Sequence, residues 1–276
     1  MITKSYDLPE SIVEAVELLS RYGPGLLIIA GGTLAMPLIN EGISRPERVM
    51  GLRRAKMDYV RISENELKIG ATTTLSQIER SSGLPLLQEA AQAIGGWAVR
   101  NMGTVGGNLF APPPGGDFAA ALLALDAQVI LAGTNGTRAL SLEKFYEGFM
   151  QTAKRSDEIL TEIRIANPIG KTAYTKFGRR HANTPTIVTV ATNLTLDDGR
   201  IKDARLVLNG VGPYPFRAKK AEAALIGEVL NEKTVKAAAN LAGEESQPFT
   251  DSIASEWYRR KMVPVIVART LESLIA

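Results

Sequence analysis

The sequence contains no cysteine and a single histidine, His181. Without cysteine, this chain cannot form a disulfide, use a thiolate nucleophile or hold an iron–sulfur cluster through thiolates. One histidine cannot form a histidine metal cluster, and a lone histidine in a loop is more often structural than catalytic. We therefore predict no metal site and no catalytic side chain in this chain. Any redox chemistry must use an organic cofactor that the protein binds and orients.

Long apolar runs and long basic runs are also missing. No segment approaches the roughly 18 apolar residues that cross a bilayer, and Met1–Asp7 lacks the apolar core of a signal peptide. The net charge is +3, and the basic clusters Arg179–Arg180 and Arg259–Lys261 are short. Such clusters indicate a solvated face rather than a nucleic-acid surface. The sequence predicts a cytoplasmic protein that contacts neither membrane nor nucleic acid.

The order of the predicted elements divides the chain. Its 276 residues, 45% of them hydrophobic, suffice for one large or two modest domains. The apolar run Leu26–Ala30 predicts a buried strand that enters a glycine turn. In the last third, three predicted strands precede three predicted helices, which indicates an α+β domain with a three-stranded antiparallel sheet. The sequence Asn167–Gly170 breaks the strand pattern and predicts a domain boundary.

Two glycine runs, far apart in the sequence, are the strongest functional signal. Ala30–Thr33 and Gly103–Asn108 both place paired glycines beside a threonine. Glycine has no Cβ, so its backbone can approach a ligand closely, and successive amides can form an anion-binding nest. The runs match neither the Rossmann fingerprint nor the P-loop. Two tight turns remain the alternative interpretation, but together the runs favour one long phosphate-bearing ligand.

The glycine runs, with their neighbours, resemble a known family. Ala30–Thr33, Trp97–Leu109 and Gly116–Ala127 are similar to the FAD-binding medium subunits of the molybdenum hydroxylases, which include xanthine, aldehyde and carbon monoxide oxidoreductases. Tyr174–Arg180 resembles the start of that family's C-terminal domain. Further similarities lie at Gly210–Pro213 and Tyr258–Arg260, so the resemblance covers nearly the whole chain.

The resemblance implies an α+β fold. It has a two-subdomain FAD-binding part of the vanillyl-alcohol-oxidase (PCMH) type, with residues 1–55 and 56–168 as the subdomains. A C-terminal α+β domain follows, at residues 169–276.

The resemblance also implies a function in electron transfer. A large molybdopterin subunit would oxidise the substrate, and a small subunit with two [2Fe–2S] clusters would pass electrons to FAD on this chain. The FAD would reduce an external acceptor. The assembly would be a heterotrimer or its dimer. An aldehyde such as glyceraldehyde is the first substrate expected, with carbon monoxide or xanthine as alternatives.

The resemblance assigns cofactor contacts residue by residue. The backbone of Ala30–Leu34 and Gly103–Asn108 would surround the pyrophosphate, and Asp117 would bind ribose or ribityl hydroxyls. Lys176 would stabilise negative charge on the flavin; its alternative interpretation is a surface lysine. The full predicted set of FAD contacts is Ile29, Ala30, Gly31, Gly32, Thr33, Leu34, Thr72, Gly103, Thr104, Gly106, Gly107, Asn108, Asp117, Ile159, Leu160 and Lys176.

The sequence departs from the family pattern near Thr184–Pro185. Some relatives place an aromatic residue there against the flavin ring, and this chain has none. Two functions of other classes stay open on sequence alone. One is a stand-alone FAD oxidase or reductase, although the chain lacks an obvious catalytic constellation. The other is an assembly subunit without FAD, which the intact glycine runs and Asp117 argue against.

Overall fold

The computed structural model describes residues 3–166 and 170–275. Over these residues the strands form a three-stranded, a five-stranded and a four-stranded sheet, together with a two-stranded hairpin. We call the three larger sheets the N-terminal, central and C-terminal sheets. No helix in this described part is long and apolar enough to cross a membrane. The predicted boundary at 167–170 falls largely on residues 167–169, which lie outside the described residues.

The N-terminal sheet is parallel and small. Its elements are β1 (Ser5–Asp7), α1 (Ile12–Tyr22), β2 (Leu26–Ile29), α2 (Ala35–Asn40) and β3 (Arg48–Gly51). The strand order is β1-β3-β2. Helix α1 begins where the Ser11 hydroxyl accepts the N–H of Glu14, an N-cap that satisfies one free amide of the first turn. The strand predicted at Leu26–Ala30 is confirmed, and it ends at Ile29, one residue earlier than predicted.

The central sheet is antiparallel and has the order β4-β5-β10-β6-β7. Its strands are β4 (Val60–Ile62), β5 (Glu66–Gly70), β6 (Gln128–Gly133), β7 (Gly136–Ser141) and β10 (Ile159–Ala166); β8 (Tyr146–Gly148) and β9 (Gln151–Thr152) form the separate hairpin. The accompanying helices are α3 (Leu75–Arg80), α4 (Pro85–Gln92), α5 (Trp97–Met102), α6 (Val105–Asn108) and α7 (Asp117–Ala124). The second glycine run therefore lies between and within short helices.

The C-terminal sheet carries its helices on one face. Its elements are β11 (Lys171–Gly178), β12 (Thr186–Asp197), β13 (Arg200–Asn209), β14 (Phe216–Arg217), α8 (Lys219–Leu225), α9 (Glu232–Glu245) and α10 (Glu256–Glu272). The prediction of three strands was wrong, because within the described residues β14 adds a fourth strand beside β13. A strand of two residues is too short to show the alternation by which strands are recognised in a sequence.

Helix α7 lies between the central sheet and the C-terminal sheet. Every residue of α7 is buried, as expected for a helix that is apolar on all sides. One hydrophobic cluster connects it to Ile163 of the central sheet and to Ala191 and Val207 of the C-terminal sheet. The other face of the C-terminal sheet packs against α8, α9 and α10. The start of α7, where Asp117 lies, is thus enclosed from both sides.

Helix starts show where sequence reasoning worked. The sequence predicts a helix at 75–81 with Thr74 as its N-cap. Thr74 is the N-cap of α3, and its hydroxyl accepts the N–H of Gln77 in a capping box. The sequence also predicts a helix at 118–125 with Asp117 or a neighbour as its N-cap. Helix α7 begins at Asp117, and its N-cap is the neighbouring Gly116 with φ +76°. The Asp117 side chain is not used as a cap, because it points toward the C-terminal sheet.

Candidate functional site

The two glycine runs contact each other. A Cβ added to Gly31 would overlap the carbonyl oxygen of Met102, so only glycine fits there. A Cβ added to Gly103 would lie 3.4 Å from the hydroxyl oxygen of Thr33. Segments that are far apart in the sequence therefore form one continuous surface of bare backbone, as the sequence predicted.

The first run presents free backbone donors. No acceptor for the N–H groups of Gly31, Gly32, Thr33 and Leu34 is found within residues 3–166 and 170–275. Gly32 has φ +74°, a conformation that favours glycine and turns successive amides toward a common point. Unpaired amides at a partly exposed turn are suited to the oxygens of an anion such as a phosphate group.

The second run uses most of its amides internally. Val105 donates to the carbonyl of Thr73, Gly106 donates to the carbonyl of Ala71, and Gly107 donates to the hydroxyl of Thr104. Gly106 is also packed tightly, because an added Cβ would lie 2.9 Å from a methyl carbon of Leu160. This run therefore contributes shape. Among the N–H groups of 103–108, only that of Thr104 has no acceptor within the described part of the chain.

A buried hydroxyl beside the second run has no partner. Thr72 is 7% exposed, and its Oγ1 is without a hydrogen bond among the described residues. Its chain neighbours bind the run directly, since the carbonyl groups of Ala71 and Thr73 accept the N–H groups of Gly106 and Val105. A buried hydroxyl without a partner is energetically costly. Its position fits a group that supplies the missing hydrogen bond, and Thr72 belongs to the set predicted from the resemblance.

Asp117 is the centre of a buried polar network that spans both domains. Its Oδ1 accepts hydrogen bonds from the Thr186 hydroxyl (2.6 Å), the Thr189 hydroxyl (2.9 Å) and the Asn209 amide (3.0 Å). Its Oδ2 lies 2.9 Å from the Nζ of Lys176. An ionised carboxylate has about four acceptor sites, two on each oxygen. Oδ1 is therefore fully used, and Oδ2 retains one lone pair.

Lys176 is buried, in contrast to the alternative of a surface lysine. Its side chain is 8% exposed, and its ammonium group donates to the carbonyl of Ala93 at 2.9 Å as well as pairing with Asp117. An ammonium group has three N–H donors, so one remains for another acceptor. Lys176 also lines a cavity of about 360 Å³. The cavity is bordered by Glu89, Gln92, Ala93, Tyr174, Lys176, Arg180, His181 and Thr184.

Sequence reasoning missed Tyr174, an aromatic residue of this cavity. Its hydroxyl lies 3.5 Å from the carbonyl oxygen of Asp117, and the residue lines the cavity. Burial, followed by the negative charge of Asp117, raises the pKa of Tyr174 well above its ordinary value, so the hydroxyl stays neutral. An aromatic residue therefore lines the cavity even though none stands near Thr184 in the sequence. The segment Tyr174–Arg180 was noted in the sequence, but the sequence did not show that Tyr174 lies at the cavity.

Thr186, Thr189 and Asn209 were also missed. Thr186 and Thr189 are three residues apart, and regular alternation would place them on opposite faces of β12. A register shift allows both to reach Asp117, because Gly178 pairs with Thr186 whereas Phe177 pairs with Val188. Bulges of this kind re-aim side chains near functional sites, and no feature of the sequence revealed this one.

The remaining predicted contacts lie around this surface. Ile29 is buried at the end of β2, Leu34 is 45% exposed, and Asn108 accepts the N–H of Phe118. Ile159 and Leu160 are buried in two different hydrophobic clusters, where the register of β10 on β6 shifts. Their proposed backbone contact with the flavin stays a prediction.

The chain matches two family models over nearly its full length. Residues 3–168 match the FAD binding domain in molybdopterin dehydrogenase, and residues 172–274 match the CO dehydrogenase flavoprotein C-terminal domain. The chain is 32% identical to the glyceraldehyde dehydrogenase medium chain of Sulfolobus acidocaldarius, covering 98% of each chain. It is 33% identical to the carbon monoxide dehydrogenase medium chain of Afipia carboxidovorans, covering 99% of this chain and 97% of the other.

A solved structure has the same fold. It is a carbon monoxide dehydrogenase from Hydrogenophaga pseudoflava that lacks the Mo-pyranopterin moiety of the molybdenum cofactor. The TM-score is 0.93 at 31% sequence identity, and the alignment covers 99% of this chain and 98% of the other. The similarity therefore includes both glycine runs and the whole C-terminal domain.

Proposed function

The chain belongs to the FAD-binding medium subunits of the molybdenum hydroxylases, and from this premise we propose where it holds FAD and what its complex does. The single most informative observation is the contact of Gly31 with the Met102 carbonyl beside unpaired amides. FAD bound there supplies the electron-transfer chemistry that a chain without cysteine lacks. The residues of this chain bind the cofactor, orient it and exclude water.

We propose that the pyrophosphate lies on the amides of Gly31–Leu34, with Gly103–Asn108 as the opposite wall. The amide and hydroxyl of Thr104 and the unpaired hydroxyl of Thr72 are donors at this wall. Because the glycines have no Cβ, the phosphate groups can approach the backbone of this wall closely. Two phosphate groups present many acceptor oxygens, which suits a surface that offers several backbone and hydroxyl donors.

In the proposal, Asp117 and Lys176 bind FAD beyond the pyrophosphate. The free lone pair on Asp117 Oδ2 accepts a ribityl or ribose hydroxyl, and the third N–H of Lys176 donates to an acceptor on the flavin. A positive charge at that position favours negative charge on the ring. The backbone at Ile159 and Leu160 borders the same cofactor in this proposal.

Family membership supports the proposed partners, and the proposed location is the one expected from the sequence. We propose a large molybdopterin-binding subunit and a small subunit with two [2Fe–2S] clusters, assembled with this chain as a heterotrimer or its dimer in the cytoplasm. The proposed divisions within this chain are residues 1–55, 56–168 and 169–276. Electrons would reach FAD from the iron–sulfur subunit and leave to an external acceptor.

The proposed substrate of the complex is an aldehyde, which the molybdenum subunit oxidises to a carboxylic acid. The supporting observation is the similarity to a glyceraldehyde dehydrogenase medium chain over 98% of both chains. Carbon monoxide is the alternative, supported by the comparable similarity to a carbon monoxide dehydrogenase medium chain. Assay of the intact complex with glyceraldehyde, carbon monoxide and xanthine decides among them, and activity with xanthine alone would refute the aldehyde proposal.

Reconstitution tests the cofactor assignment. The purified chain is titrated with FAD while flavin absorbance and fluorescence are recorded, and we expect saturation at one FAD per chain. A folded chain that binds no FAD would contradict the proposed function. Purification of the native complex tests the partners, because substrate oxidation by this chain with FAD alone, without molybdenum and iron, would indicate a stand-alone flavoenzyme.

A further inference from the structure

Arg259 is a fully buried charged residue on the far side of the C-terminal sheet from Asp117. It lies on α10, is 0% exposed, and its Nη1 is within hydrogen-bonding distance of three backbone carbonyl oxygens. These belong to Thr186 (3.1 Å), Ile187 (2.6 Å) and Gly210 (2.8 Å). The guanidinium therefore joins the first residues of β12 to the residue that follows β13.

We propose that Arg259 is a positioning residue of the FAD site, which acts by holding in place the side chains that orient Asp117. This inference rests on the proposed FAD site. Thr186 lies at the start of β12 and Asn209 at the end of β13, and both donate to Asp117 Oδ1. Arg259 binds the backbone of Thr186 itself and of Gly210, the residue after Asn209. It thus fixes both strand ends at the point where they contact Asp117.

Asp251 holds Arg259 in this orientation. Both carboxylate oxygens of Asp251 lie 2.9 Å from Nη2 of Arg259, and Asp251 Oδ1 also accepts the N–H groups of Ile253 and Ala254. The Phe249 ring lies 4.9 Å from the guanidinium carbon. The planar guanidinium can donate to carbonyl groups on one side and to a carboxylate on the other, which the ammonium group of a lysine cannot do.

The chemistry of the network argues against a purely structural role. A buried ion pair is poor at adding stability, because apolar residues of similar volume often do as well. Within the described residues the Nε of Arg259 is also without a partner, which adds a further cost. Here the buried guanidinium binds the carbonyl groups of Thr186 and Gly210. These lie at or next to Thr186 and Asn209, whose side chains donate to Asp117.

The test compares Arg259→Lys with a matched control, Arg217→Lys. Arg217 forms a buried two-bond pair with Glu222 in the same domain, at 2.8 Å for both contacts, but does not touch the partners of Asp117. We expect Arg259→Lys to weaken FAD affinity about tenfold, and Arg217→Lys to keep wild-type FAD affinity at a comparable loss of stability. Asp251→Asn serves if Arg259→Lys does not fold, because it retains the arginine side chain and removes the negative charge that orients it; we expect a smaller loss of affinity.

Coupling to Asp117 separates positioning from general destabilisation. FAD affinity and the visible spectrum of bound flavin are measured for wild type, Arg259→Lys, Asp117→Asn and the double variant. We expect Asp117→Asn to weaken binding and Arg259→Lys to add little to it. Additive effects, an unchanged spectrum with unchanged affinity in Arg259→Lys and Asp251→Asn, or full affinity in Asp117→Asn would each overturn this inference. Failure of the wild-type chain to bind FAD would instead refute the proposed function.

Discussion

The ammonium group of Lys176 lies 2.9 Å from Oδ2 of Asp117, with each side chain less than a tenth exposed. Asp117 begins α7 of the FAD-binding domain, and Lys176 lies on β11 of the C-terminal domain. The pair therefore ties the two domains together at the proposed cofactor site. The C-terminal domain contributes directly to this site, since Thr186, Thr189 and Asn209 bind the same carboxylate.

Removal of the cation should be strongly destabilising. Lys176→Met leaves the Asp117 carboxylate buried without its counter-charge, and loss of one partner of a buried pair costs about 3–5 kcal/mol. The free energy of unfolding from urea titration measures the effect. Lys202→Met is the control, because its pair with Asp197 is exposed, and it should stay within about 0.5 kcal/mol of wild type. Equal effects of the two substitutions would show that the buried pair is not important for stability.

The contact between the glycine runs should not tolerate a methyl group. Gly31→Ala forces the first run away from the Met102 carbonyl, at a cost of about 1–3 kcal/mol, and should abolish measurable FAD binding. Gly25→Ala is the matched control, since nothing lies within 4 Å of its Cβ position. Fluorescence titration with FAD compares the two. Retention of wild-type affinity in folded Gly31→Ala would contradict the assignment of this loop to the pyrophosphate.

The unpaired hydroxyl of Thr72 should affect FAD binding without stabilising the free chain. Thr72→Val removes a buried polar atom that has no partner in the described residues, so stability should be unchanged or slightly higher. FAD affinity should fall about threefold to tenfold, the value of one hydrogen bond.

Thr73→Val is the control for Thr72→Val, and we expect it to change stability rather than FAD affinity. The Thr73 hydroxyl donates to the carbonyl of Tyr59 and accepts its N–H, so the substitution should lower stability and leave FAD affinity unchanged. Thermal unfolding of the free chain and FAD titration are measured for both variants. If Thr72→Val binds FAD as wild type does, its hydroxyl is not a cofactor contact.

Glu158 should make stability depend on pH. Hydrogen bonding from Arg138 is the main cause that lowers the pKa of Glu158 below its ordinary value of 4.5. A lowered folded-state pKa means that this stabilisation is fully present above pH 4.5 and is lost as the pH falls through the folded-state value. Glu158→Gln should therefore cost about 1.5–3 kcal/mol at neutral pH and progressively less in acid.

Unfolding titrations from pH 7 down to pH 3 measure the difference in the free energy of unfolding between wild type and Glu158→Gln. Glu47→Gln is the control, because Glu47 pairs with Lys4 in an exposed position and should show little difference at any pH. A gap for Glu158→Gln that stays constant across the range would show that the ionised carboxylate is not the source of stability.

Local patterns made much of the fold predictable. Thr74 precedes a helical pattern and is the N-cap that the sequence predicted, and the structure adds a capping box with Gln77. The apolar run before Gly31 is a strand because a continuous apolar segment of that length suits a buried strand. Strand β14 escaped prediction, because two residues have no periodicity.

The site was only partly predictable for a physical reason. Glycine runs are visible in a sequence because glycine has a distinctive backbone, and the contact between Gly31 and Met102 agrees with their predicted convergence. Thr186, Asn209 and Arg259 carry no such signal, since threonine, asparagine and arginine are common in strands and helices. Their contacts arise from a register shift between β11 and β12, from the pairing of Thr189 with Asn209 across β12 and β13, and from the packing of α10 behind the sheet.

The sequence by itself determined that any redox chemistry of this chain must use a bound organic cofactor, because the chain has no cysteine and only one histidine. It also determined which loops could approach a phosphate. Only the tertiary structure decided that Lys176 is buried against Asp117, that Thr72 has no partner and that Tyr174 lines the cavity. These are contacts between residues distant in the sequence, and their energies depend on burial and orientation, which are properties of the folded chain.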